Sequence, residues 1–220
     1  MIMKTWTKVL LSIPKTLYVN FRYLPLQQAL KLPFLVAYNV DFQAYRGGVI
    51  LPKQLRLGMI RIGFFEVSVC NHSQTAFKVK GTVEFRGTAY LGRSSKVLVM
   101  KGGRLVLGED FKISSASSIF CINHIEFGSH IMFSWDCLVM DSDTHVIMDS
   151  EGKRINDDKP IVFGNNIWIG CRCTILKGSI IPDGCVIGAS STLTGQKLSP
   201  NTIVAGNPPS SRKVIGGWHL

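Results

Sequence analysis

Residues 163–198, FGNNIW IGCRCT ILKGSI IPDGCV IGASST LTGQKL, fall into six consecutive hexads. Phe163, Ile169, Ile175, Ile181, Ile187 and Leu193 open them, and Ile167, Cys173, Ser179, Cys185 and Ser191 stand four residues after the first five. A large apolar side chain followed at i+4 by a mostly small one fits neither the two-residue period of a strand nor the 3.6-residue period of a helix. It fits a short strand and a corner, because a sharp backbone turn tolerates only glycine or a small side chain. Three hexads then close one triangular coil, and coils stack at the ordinary inter-strand spacing of about 4.8 Å, each pairing its backbone with the next. The inward apolar residues form ladders, so a repeat too small to be stable alone becomes stable in a stack.

The same spacing runs upstream with slips. Leu107, Ile113 and Ile119 form one set, Phe127, Phe133 and Val139 another, and Leu91 and Val97 begin a weaker one. The expected organisation is an N-terminal cap over residues 1–79, partly helical or extended, a coil domain over 80–206 and a tail over 207–220. The longest slip is a loop over 141–159, "DSDTHVIMDSEGKRINDDK", and a long excursion from a regular repeat points to function rather than scaffolding.

With 46% hydrophobic residues, a chain of 220 residues builds an ordinary globular core. Its net charge of +11 favours partners that carry phosphate or an anionic membrane surface. No zinc-finger spacing or RNA-binding aromatic signature accompanies that charge, so nucleic acid is not expected. Six cysteines in a chain of this size read as thiols in a reducing compartment rather than a disulfide framework. The apolar run after the positive start ends at Pro14, too short for a signal-peptide core or a membrane span, so the expected location is cytoplasmic. Pro14, Pro25 and Pro33 predict short pieces rather than one long helix in the N-terminal segment. That segment either caps the exposed edge of the first coil or, with Trp6, Tyr18, Phe21 and Tyr23 interleaved with Lys4, Lys8, Lys15 and Arg22, lies against the inner face of a membrane as a peripheral contact.

The stretch "KPIVFGNNIWIGCRCTILKGSIIPDGCVIGASSTLT", continuing into "NTIVAGNPPSSRKVI", resembles the hexapeptide-repeat acyltransferases, and within them the galactoside, maltose and xenobiotic acetyltransferase branch whose members modify surface polysaccharides. The resemblance implies an all-β, left-handed parallel β-helix, an exception to the usual right-handed crossover. It also implies acetyl-coenzyme A as acyl donor, no metal, a homotrimer with sites between subunits, and a sugar or lipid-linked glycan as acceptor.

Carried over residue by residue, the resemblance makes His145 the catalytic base, since histidine can take a proton from an attacking hydroxyl near neutral pH. Asp141 or Asp143 would orient the imidazole or bind the acceptor. Ser114 falls where relatives have an acceptor-contacting asparagine, Asn123 is a nearby alternative, and Trp168 packs beside the site or at the subunit interface. Gly170 and Cys171 would line the donor groove, with a backbone N–H there as oxyanion donor. Ala189 and Thr194 follow along it, Ala205 and Gly206 approach the adenine end, and Arg212 and Lys213 would pair with phosphates.

The expected reaction is O-acetylation of a sugar or polysaccharide precursor by direct attack on the thioester. Alternatives are N-acetylation of an amino sugar or nucleotide sugar and O-acetylation of a xenobiotic. Two readings from other classes are a metal lyase like the γ-carbonic anhydrases, invited by His124, His130 and His145, and a non-catalytic scaffold. Cys171 and Cys173 lack partner ligands at structural zinc spacing.

Overall fold

The computed structural model describes residues 5–45, 47–65 and 73–218, with side chains from Thr7 onward. Lys4 and Cys70 lie outside the described residues, as does the side chain of Trp6. The chain winds into a left-handed parallel β-helix of three faces. The first face stacks Phe34–Val36, Ile60–Ile62, Ala89–Leu91, Phe111–Ser115, Ile131–Trp135, Ile167–Ile169, Val186–Ile187 and Thr202–Gly206 in parallel, and Pro209–Val214 closes it antiparallel. The second stacks Asp41–Gln43, Ala76–Val79, Lys96–Val99, Ser118–Cys121, Leu138–Met140, Thr174–Leu176 and Thr192–Leu193. The third stacks Val49–Ile50, Thr82–Phe85, Arg104–Leu107, His124–Phe127, Ile161–Phe163 and Ile180–Ile181.

All six hexad-opening residues from Phe163 to Leu193 are buried, as are Cys173, Ser179, Cys185 and Ser191 at the corners. The inward ladder includes stacked phenylalanines, Phe127 on Phe163 at 4.4 Å between ring centroids and Phe42 on Phe77 at 4.9 Å. The upstream slips have one location. Val97, Ile119 and Val139 lie on the second face, and the next members of their ladders, Leu107, Phe127 and Phe163, lie on the third. Extra residues are therefore accommodated at the edge between these two faces, where lengthening a corner leaves both flanking strands in register.

Pairing starts well before residue 80. Phe34–Val36 pairs with Ile60–Ile62, and that strand pairs with Ala89–Leu91. The long connection between Ile60–Ile62 and Ala76–Val79 breaks the hexad spacing there, which hides these coils from a periodicity reading.

The N-terminal segment departs from expectation in a second way. One α-helix, α1, runs Thr5–Tyr23 straight through Pro14. A proline inside a helix removes one hydrogen bond and crowds the preceding turn. Here Pro14 is exposed, so the orphaned carbonyl side faces water, while side chains on both sides of it fasten the helix to the first coil. Ser12 Oγ accepts from Tyr38 N at 3.0 Å, Thr16 Oγ1 accepts from Val36 N at 3.0 Å, and Asn20 donates to Phe34 O at 2.9 Å and accepts from Phe34 N at 3.2 Å. These residues, four apart on one helical face, satisfy the open edge of Phe34–Val36 as a neighbouring strand would.

Candidate active site

The loop of residues 141–160 leaves the second face after Leu138–Met140 and returns to the third at Ile161–Phe163. Asp141 anchors its start. Its side chain is fully buried, and its two carboxylate oxygens accept the backbone N–H groups of Ile122 and Asn123, each at 2.8 Å, from the corner of the preceding coil. Asp143 is held from the other side: its carboxylate meets Lys177 Nζ at 2.6 Å and Asn156 Nδ2 at 2.9 Å. The hydrogen bond from Lys177, followed by that from Asn156, holds the Asp143 carboxyl below the usual carboxylate range. Both aspartates thus fix the loop, and neither carboxylate is directed to the imidazole as the sequence reading had allowed.

Asn156 joins the two strands of the loop. Only 8% exposed, it also donates to the carbonyl of His145 at 2.7 Å and accepts from Ile147 N at 2.8 Å, while its own carbonyl accepts from Lys177 at 2.9 Å. Sequence reasoning missed both Asn156 and Lys177. The signal was present, since Lys177 is the long polar side chain of "ILKG" at the corner beside the loop and Asn156 opens its polar return.

On this base the imidazole of His145 stands exposed, with Nδ1 3.0 Å from Thr144 Oγ1. Thr144 has φ +63°, a left-handed conformation that a β-branched residue adopts only under constraint. The constraint comes from Thr144 N donating to Ser142 Oγ at 3.0 Å and from the Asn156 clamp on the next carbonyl. In the tautomer where Nδ1–H donates to Thr144, Nε2 keeps its lone pair and faces outward as a proton acceptor.

The other nominated residues sit elsewhere. Outward positions on the first face form one row, pairing in turn Leu35, Arg61, Tyr90, Lys112, Met132, Trp168, Val186, Ile203 and Lys213. Arg61, Tyr90, Lys112 and Met132, with Phe64 and Ser114, line a cavity of about 440 Å³. The Arg61 guanidinium lies over the Tyr90 ring at 5.2 Å, and Ser114 Oγ donates to Phe133 O at 2.9 Å. Trp168 continues the row one coil beyond Met132; it is 41% exposed, bonds Ser134 Oγ through Nε1 at 3.2 Å, and packs beside Trp218 at 6.3 Å.

Gly170, Cys171, Ala189, Ala205 and Gly206 stack at the edge between the first and second faces, whereas Asn123, Thr194 and the His145 loop belong to the edge between the second and third. Gly170 cannot serve as an oxyanion donor through its N–H, which donates to Ile187 O at 2.8 Å inside the ladder. Ala205 O accepts from Arg212 Nη2 at 3.2 Å, so the guanidinium is fixed at the end of that edge. Thr194 is closed on itself through Gln196, which bonds both its N–H and its hydroxyl at 2.7 Å. Asn123 is exposed and reaches Asp158 O only at 3.5 Å. His124 pairs with Glu126 on the third face, and His130 with Asp110 at the following corner.

No protein-family model matches the chain. It is 38% identical over 55 residues to the putative lipopolysaccharide biosynthesis O-acetyl transferase WbbJ of Escherichia coli K12, a match covering 25% of this chain and 28% of that protein. It is 47% identical over 49 residues to the galactoside O-acetyltransferase of the same organism, covering 22% and 24%. The chain thus matches about a quarter of the length of these curated relatives. Among solved structures, the polySia specific acetyltransferase NeuO superposes with a TM-score of 0.55 at 20% identity, covering 86% of this chain and 89% of that one. The chain resembles the hexapeptide-repeat acetyltransferases in sequence and in fold.

Two features of this hexapeptide-repeat chain fit a coenzyme A thioester as donor substrate. Along the edge between the first and second faces, Gly170, Cys171, Gly188, Ala189 and Ala205 carry small side chains beside the exposed Arg172, so a slender ligand can lie against the backbone next to a cation. Arg212, exposed, supplies a cationic group at the end of that edge, and the exposed Lys213 stands on the adjoining first face opposite Ile203. The thiols shift in both directions, and the hydrogen bond shared with Cys137 lowers Cys173. Burial pushes Cys121 and Cys185 up, and Cys137 is raised by its hydrogen bond to the Cys173 thiol and by burial.

Proposed function

We propose that this protein is an acetyl-coenzyme A-dependent O-acetyltransferase acting on a sugar of a surface polysaccharide or its lipid-linked precursor. It works as a homotrimer in the cytoplasm. The observation that carries this reading is the placement of His145. Its loop springs from the edge between the second and third faces, and in a triangular coil that edge lies opposite the first face, where the cavity and Trp168 are. One face is about 20 Å wide, six residues at roughly 3.3 Å each, and the bonds from Asn156 and Lys177 hold the loop at its own edge, away from its own chain's cavity. A second copy can bring its imidazole there, and a narrow prism gains a deep site only between subunits.

In the reaction, the acceptor hydroxyl oxygen attacks the thioester carbonyl carbon. A C–O bond forms, the C–S bond breaks, and the hydroxyl proton passes to His145 Nε2 and then to the departing thiolate. The thioester is already activated, so positioning and a general base suffice without a covalent enzyme intermediate. The first-face cavity, with Ser114, Tyr90 and two cationic side chains, receives the acceptor; the small-residue edge and Arg212 receive the donor.

Subunit complementation tests this. His145→Ala and a Tyr90→Ala, Trp168→Ala double variant are each expected to lose activity, and trimers reassembled from both should regain part of it, because some sites combine an intact histidine loop with an intact first face. Failure of mixed trimers to recover any coenzyme A release above either parent would exclude a shared site. Screening coenzyme A release against sugars, amino sugars and nucleotide sugars assigns the acceptor, and exclusive turnover of amines would overturn O-transfer.

A further inference from the structure

Helix α1 is amphipathic in the reverse of the usual sense. Its buried side is mostly polar, because beside the buried Val19 it holds Ser12, Thr16 and Asn20, which are spent on the open edge of the first coil. Those bonds fix the helix rotation, and its apolar side is therefore turned to solvent. Leu10, Leu17 and Phe21, spaced by seven and four, form the exposed stripe, with Leu10 at 65% exposure and Tyr18 beside them. Just beyond the helix, Leu26 and Leu30 are 64% and 66% exposed. An isolated exposed leucine is ordinary, whereas a continuous apolar helix face marks a contact surface.

The charge around this face identifies the occupant. Lys8, Lys15 and Arg22 recur every seven residues along one flank, between the buried polar stripe and the exposed apolar one. The first forty residues hold five basic side chains, Lys4, Lys8, Lys15, Arg22 and Lys31, and no acidic one; Asp41 is the first carboxylate in the chain. A face meant for a second copy of itself would bring these cations against one another. Apolar side chains bordered by lysine and arginine suit the headgroup region of an anionic bilayer, where the apolar groups enter the acyl boundary and the cations meet phosphate. No helix among the described residues is long and apolar enough to cross a membrane, so α1 would lie in the interface plane.

The surface next to α1 leads into the cavity. A groove of about 350 Å³ runs between Val9, Ile13 and Leu17 of the helix and Leu35, Arg61 and Phe64 of the first coils, and Arg61 and Phe64 also line the first-face cavity. We infer that α1 docks the protein on an anionic phospholipid surface, with the groove mouth at the lipid boundary. This inference does not depend on acetyl transfer being the reaction.

Flotation of the full-length protein with vesicles tests it, using phosphatidylcholine alone and phosphatidylcholine with phosphatidylglycerol. The wild type should float with the anionic vesicles and be released by salt. Leu10→Ser, Leu17→Ser, Phe21→Ser together, and separately Lys15→Gln with Arg22→Gln, should each weaken binding at least about tenfold while the melting temperature is unchanged. Wild-type protein left in solution with both vesicle types would overturn the proposal. So would a drop in oligomer size for the serine variant in lipid-free buffer, which would assign the face to contacts between copies. A protein that floats but releases coenzyme A with no acceptor would sink the catalytic reading and leave this one standing.

Discussion

Lys177 Nζ lies 2.6 Å from the Asp143 carboxylate, and through that ion pair a corner of the neighbouring coil holds the loop that carries His145. The same ammonium bonds Asn156 O at 2.9 Å, and Asn156 in turn bonds the His145 carbonyl. The imidazole is therefore positioned by a chain of contacts that ends in rigid β-structure.

Removing the ammonium should release the loop. Lys177→Met is expected to lower kcat/KM by about ten- to a hundredfold, in line with the loss of a group that orients a functional side chain, with little change in melting temperature. The pH effect has a definite sign. Because Lys177 depresses the Asp143 pKa, the anchoring is fully present above the ordinary carboxylate pKa and is lost only as pH falls through the depressed value. Limited proteolysis of the loop against pH should show wild-type protection persisting to lower pH than in Lys177→Met. Identical protection profiles would remove this role.

His145→Ala should lower kcat by about a hundred- to ten-thousandfold, the range of a lost general base, with circular dichroism and oligomer size unchanged. Thr144→Val keeps the branched shape and deletes the hydroxyl facing Nδ1. It should cost about three- to tenfold in kcat, the worth of one neutral hydrogen bond. An unchanged kcat would mean that Thr144 leaves the imidazole's tautomer alone.

Gly170→Ala tests why a glycine stands at that corner. A methyl group there would come within 2.7 Å of Ala189 N and 2.9 Å of Ile187 O, both backbone atoms of the next coil. Relief requires the coils to part, so a loss of about 1–3 kcal/mol is expected, typical of overpacking. Chemical denaturation measures it, and an unchanged midpoint would refute the close approach.

Thiol labelling separates structural from accessible cysteines. Cys121, Cys137, Cys173 and Cys185 are buried free thiols, whereas Cys171 is partly exposed. Among these five, native protein treated with iodoacetamide should be modified at Cys171 alone, as mapped by mass spectrometry, and denatured protein at all of them.

The coil architecture was legible because its signal is local. Each hexad states its own inward residue and its own corner, so Phe163 through Leu193 could be placed on three faces without knowledge of distant contacts. The first coils were not legible, since Phe34–Val36 and Ile60–Ile62 are connected by segments that break the spacing. Nor was the helix through Pro14. Local propensity argues against it, and the bonds from Ser12, Thr16 and Asn20 that sustain it reach a strand far along the chain. At the site, His145 stood out by its loop and by resemblance. Lys177 and the cavity around Tyr90 did not, because their roles arise only when separate coils are stacked, and Asn156 did not, because it acts only once the loop closes on itself.

Beyond Leu91 every slip falls at the edge between the second and third faces, which makes that edge a port for variation. Segments of different length can be exchanged there while the remaining two corners keep their spacing, so chemistry on the loop and recognition on the opposite face can diversify independently. Grafting the 141–160 segment between proteins of this architecture should accordingly transplant reactivity without rebuilding the scaffold.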